Sequence, residues 1–103
     1  MADNTPKKLH FALKLIPPRT TFISDMTEEE RSIMQQHTQY WIGLISRGIV
    51  VVYGPVFDPK GGYGFGVVEV DSEDEVKAIV GSDPAIRINR YEYYPMRAIV
   101  PKR

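Results

Sequence analysis

A chain of 103 residues with thirteen basic and thirteen acidic side chains fits one domain and has no net charge to draw in nucleic acid or an anionic membrane. The absence of cysteine excludes disulfide staples, thiolate metal sites and a cysteine nucleophile, and suits a reducing compartment. No apolar run nears the ~20 residues that span a bilayer, and residues 1–8 lack a signal-peptide core, so the expected location is the cytoplasm.

Residues 1–8 read as a disordered lead-in and residues 9–103 as a single domain. Leu9, Phe11, Leu13 and Leu15 alternate with His10, Ala12 and Lys14, the period of a half-buried strand. Pro17 and Pro18 end it, because proline cannot donate to a sheet ladder. Residues 19–26 are a loop. Thr27 and Glu30 have capping-box spacing, and an apolar stripe through Ile33, Met34, His37, Tyr40, Trp41, Leu44 and Ile45 predicts a helix that Gly48 terminates. Residues 49–57 and 63–71 are strands joined by a turn at 58–62. Ser72 and Glu75 repeat the capping spacing before a short helix, Asp83-Pro84 opens a further helical turn, and residues 91–100 form the last strand.

This β-α-β-β-α-β order predicts an α+β, ferredoxin-like fold: a four-stranded antiparallel sheet with both helices on one face. The other face is apolar, with Tyr94, Met96, Ala98 and Val100 opposite Tyr91, Tyr93 and Ile99 in the last strand. Such a patch marks an interface, so a homodimer or higher homo-oligomer is expected. The alternative is that the loop at 19–26 folds over that face.

His37 stands inside the apolar stripe, where it is either a general base with a tuned pKa or a core histidine satisfied by a backbone carbonyl. Asp83 is either a carboxylate that orients an imidazole or the N-cap of the turn begun by Pro84; it serves as both only if one oxygen caps and the other reaches inward. Tyr40, Trp41 and Tyr63 are candidate walls of an apolar pocket for a small organic substrate or ligand. Gly64 and Gly66 share one face of a strand; their missing side chains leave room for a ligand or another backbone, or mark a twisted strand. His10, on the more polar side of its strand, is read as solvated. Two histidines without spaced carboxylates predict no metal site, and no cofactor motif is present.

The chain resembles the YciI-like (YCII-related) family over nearly all of residues 9–100. The resemblance rests on His37 in the first helix, Gly54-Pro55, the glycine-rich hairpin, Val70-Asp71-Ser72 before an acidic helix, Asp83-Pro84, and Tyr94-Pro95-Met96. It implies a dimeric α+β barrel-type assembly and a His37–Asp83 active-site dyad. It also implies lyase-like chemistry, proton abstraction or elimination on a small cyclic or aromatic substrate; the alternative is a non-catalytic ligand-binding or accessory domain. Two departures stand out: Met34 where many relatives have arginine, and Asn89 where glycine is common.

Overall fold

The computed structural model describes residues 8–101, and the expected lead-in lies outside these except for Lys8, whose ammonium pairs with Asp71 at 2.6 Å. The elements are β1 (Leu9–Ile16), α1 (Phe22–Asp25), α2 (Glu28–Ser46), β2 (Val50–Val56), β3 (Tyr63–Val70), α3 (Glu73–Ser82), a 3-10 turn (Pro84–Arg87) and β4 (Arg90–Met96). The sheet is antiparallel throughout, in the order β2-β3-β1-β4. This is the ferredoxin-like α+β arrangement expected from the element order.

Local chemistry sets the element ends. The Thr27 hydroxyl accepts from the Glu30 amide at 3.1 Å while the Glu30 carboxylate accepts from the Thr27 amide at 2.9 Å, a complete capping box for α2. At the other end Gly48 takes φ 76°, and Ile49 N–H reaches back to the Leu44 carbonyl at 3.2 Å, closing a Schellman motif. The Ser72 hydroxyl caps α3 through the Glu75 amide.

The core lies between one sheet face and the long helices. Phe11 and Leu13 of β1, Val68 and Val70 of β3, Trp41 and Leu44 of α2, and Val76 and Ile79 of α3 form it. Ile45, placed in the apolar stripe by its spacing, is instead exposed, as is Ile42. Between Val50 and Val52 the register of β2 on β3 slips by one residue. Val52 therefore pairs with Val67 and Tyr53 with Gly66, so Tyr53 shares the helix-covered face with Leu13.

Two boundaries differ from the sequence-based expectation. The loop at 19–26 contains a helical turn, α1, with Phe22 buried. The last strand stops at Met96 rather than at residue 100, with Met96 paired to His10 one residue inside the start of β1. The sheet face that the described residues leave uncovered carries exposed Val52, Phe65, Tyr94 and Met96, so the segment at 19–26 does not cover it. His10 is not simply solvated; its Nε2 lies 2.9 Å from Glu69. No helix among the described residues is long and apolar enough to cross a membrane.

Candidate active site

Asp83 joins α3 to the 3-10 turn and is 1% exposed. Its Oδ1 accepts from the Ala85 amide at 2.9 Å, which caps the turn that Pro84 pre-organises. Both carboxylate oxygens also face His37 Nδ1, at 2.9 and 2.8 Å. Oδ2 accepts further from the Trp41 indole N–H at 2.9 Å and from the Tyr91 hydroxyl. The cap and the imidazole partner are thus one residue, with four donors converging on one buried carboxylate. Burial alone pushes the Asp83 carboxyl up; His37, Tyr91 and the Ala85 amide outweigh it and hold the group below the ordinary aspartate value.

His37, on the buried face of α2, is 2% exposed. An ionised carboxylate only accepts, so Nδ1 carries the hydrogen, and in the neutral form of the ring Nε2 is the acceptor. The Tyr53 hydroxyl meets that Nε2 and donates to it when the ring is neutral. Burial, and then the negative charge of Asp83, push the Tyr53 phenol well above the usual tyrosine value; burial, and then the hydrogen bond to Asp83, raise Tyr91. Among the described residues, no buried side-chain polar atom lacks a partner.

Beside this network lies a cleft of about 420 Å³. His37, Tyr53, Thr38 and Asn89 contribute its polar wall, and Leu15, Phe22, Ile23, Met26 and Met34 much of its apolar wall. Asn89 holds its place by donating to the Ala85 carbonyl at 3.0 Å. Phe22 and Ile23 come from the segment at 19–26, anchored by the Arg19 guanidinium on Glu30 at 2.8 Å and on Asp25 at 2.9 Å.

Of the residues singled out in the sequence, His37 and Asp83 meet, and Tyr63 and Gly64 line the cleft. Tyr40 and Trp41 do not line it: the Tyr40 hydroxyl donates to the Ile79 carbonyl at 2.7 Å, and Trp41 is buried behind the cleft. A Cβ on Gly66 would sit 3.1 Å from Tyr53 and 3.4 Å from Trp41, so the space it leaves is filled by those two rings. Tyr53 and Tyr91 were missed by sequence reasoning. For Tyr91 the signal was present, since alternation sets it with Tyr93 on one strand face; for Tyr53 the register slip hides it. No group of three or more histidine, aspartate or glutamate side chains placed to hold a metal ion occurs among the described residues.

Residues 10–99 match the family model described as the YCII-related domain. No curated protein gives a significant match to the chain.

Proposed function

The chain belongs to the YCII-related domain family, and from that premise we propose that it is a lyase-like enzyme in which His37 is the proton-transfer base and Asp83 its orienting carboxylate. The observation that carries this is a buried carboxylate holding one ring nitrogen of a histidine at the wall of an apolar cleft. Asp83 fixes the tautomer and stabilises the imidazolium that forms when Nε2 accepts a proton. In an elimination, a C–H bond beside an electron-withdrawing group breaks as the N–H bond forms. The freed electron pair makes the new double bond, and the leaving group departs with its own pair. A cleft of about 420 Å³ is suited to one small cyclic or aromatic molecule.

The reading includes a homodimer through the uncovered sheet face, supported by exposed Val52, Phe65, Tyr94 and Met96. It also places the protein in the cytoplasm, a setting that a chain without cysteine suits. Neither nucleic acid nor a membrane is a partner in this reading, in keeping with the balanced charge.

The test is turnover of a panel of phenols, enolisable cyclic ketones and lactones by the native protein and by His37→Ala. Product formation that disappears in a folded His37→Ala supports the proposal; unchanged turnover in that variant overturns it. The contact between Tyr53 and His37 Nε2 favours a second reading, a non-catalytic ligand-binding module, because the imidazole is covered. That reading predicts saturable binding with no product.

A further inference from the structure

The base of the proposed dyad does not meet the cleft unaccompanied. Its only lone pair is engaged by a phenol that itself lines the cleft. We infer that Tyr53 is the catalytic residue that touches the ligand, its oxygen taking the ligand's proton as its own proton passes to His37 Nε2, and that the ligand is a neutral molecule with an acidic O–H or C–H bond. This rests on the His37–Asp83 reading and assigns the group that works between it and the ligand.

The first argument is position. The register slip in β2 turns Tyr53 toward the helices, and its ring lies flat on Trp41, with centroids 4.4 Å apart and planes 11° apart. Gly66 backs the two rings so closely that a methyl group there would press on both. The phenol is therefore held in one orientation, its oxygen between the imidazole and the cleft.

The second argument is hydrogen-bond direction. Asp83 only accepts, so Nδ1 donates; in the neutral imidazole, from which the transfer starts, Nε2 accepts, and the single hydrogen of Tyr53 is committed to it. What Tyr53 offers a ligand is an acceptor. Its neighbours on the polar wall are committed in the same sense: the Thr38 hydroxyl donates to the Met34 carbonyl at 3.0 Å, and the Asn89 amide nitrogen donates to the Ala85 carbonyl and contacts the Met34 sulfur. A ligand satisfies such a wall by donating.

The third argument is charge. Among the described residues, no lysine, arginine, aspartate or glutamate lines the cleft, and Lys14 belongs to the opposite sheet face, over the Tyr63 ring. An anion entering there would lose water without gaining a cation. In the step inferred, the ligand's X–H bond breaks as a new Tyr53 O–H bond forms, and the original O–H bond breaks as Nε2–H forms. The products are a ligand anion, neutral Tyr53, and imidazolium His37 beside the Asp83 carboxylate, with charge conserved. The raised pKa of the phenol fits a concerted transfer in which Tyr53 never holds the negative charge.

The experiment titrates 4-nitrophenol into the native protein at a pH where the free compound is mostly neutral, since visible absorption separates phenol from phenolate. Parallel titrations use 4-nitroanisole, of the same shape without the hydrogen, and benzoate, an anion. Expected are growth of the phenolate band on binding, binding of the anisole weaker by about tenfold, and no binding of benzoate. Tyr53→Phe, with its ring stack checked by near-ultraviolet circular dichroism, should lose the band and about tenfold in affinity for 4-nitrophenol while binding the anisole as before. Nitrogen NMR of the native protein gives a readout that needs no variant: His37 Nε2 should become protonated on binding, and an unchanged signal overturns the inference. So do tighter binding of benzoate or failure to bind 4-nitrophenol. A band lost in His37→Gln but intact in Tyr53→Phe makes His37 the direct acceptor, leaving the dyad standing and the relay refuted. A band intact in both refutes the dyad as well.

Discussion

The Tyr53 ring stacks on the Trp41 indole at 4.4 Å, and this contact fixes β2 against α2 at the place where the polar network meets the cleft. Stacked aromatic pairs contribute beyond their buried area. Gly66→Ala tests the contact, because its Cβ would come within 3.1 Å of Tyr53 and 3.4 Å of Trp41, and neither ring has a flexible end to yield. Overpacking of this kind should destabilise by about 1–3 kcal/mol. Urea unfolding measures the cost, and a shifted near-ultraviolet spectrum should report the disturbed stack.

Asp83→Asn and Asp83→Ala should differ in degree. Asparagine caps almost as well as aspartate, so the 3-10 turn survives. Its amide nitrogen, however, is one more donor among His37, Trp41 and Tyr91, which all need an acceptor. A loss of about 2–3 kcal/mol is expected for Asp83→Asn. Asp83→Ala, which also removes the cap and leaves buried donors unpaired, should cost about 3–5 kcal/mol. Equal stabilities of the two variants would contradict this account.

The acid limb of stability follows from two carboxylates. The donors around Asp83 overcome its burial and hold it below its ordinary value; the Arg19 guanidinium, then the Thr27 amide, lower Glu30 to about 2. A folded-state pKa below the unfolded one means stability that is present above the unfolded value and lost as pH falls through the folded one. The urea midpoint should therefore be level near pH 6 and fall below about pH 4, where unfolded carboxylates take up protons. Asp83→Asn should flatten that descent. A midpoint that rises on acidification would refute the assignment.

Arg19 ties the segment at 19–26 to α2 through two nitrogens on the Glu30 carboxylate and further bonds to Asp25. Arg19→Ala should increase amide exchange of residues 22–25 severalfold without changing exchange in α2. Hydrogen exchange read by NMR separates the two regions. Uniform loss of protection would show a global role instead of a local clamp.

The uncovered sheet face provides the test of assembly. Phe65 and Tyr94 are exposed there, so replacing both with lysine should alter the stability of a single chain by only about 0.5 kcal/mol each. If that face joins two copies, the substitutions should weaken the dimer at least about thirtyfold. Sedimentation equilibrium measures this, and a dimer unaffected by both changes would place the contact elsewhere.

Local chemistry made much of this protein legible from its sequence. The Thr27–Glu30 capping box, the Ser72 cap, the left-handed Gly48 and the alternation of β1 all act within a few residues, so the element order and the ferredoxin-like topology could be read directly. His37 stood out as a polar residue in an apolar stripe, and Asp83 as a cap whose second role depended on what lay opposite. Only the tertiary structure decided that role, by bringing His37, Trp41 and Tyr91 onto one carboxylate. It alone decided the place of Tyr53 too. Strict alternation from Val50 would have set Val52 opposite Gly66 and turned Tyr53 to the far side of the sheet. A one-residue slip in pairing with β3 reverses that facing, and such a slip is a property of two strands together that neither strand's sequence displays.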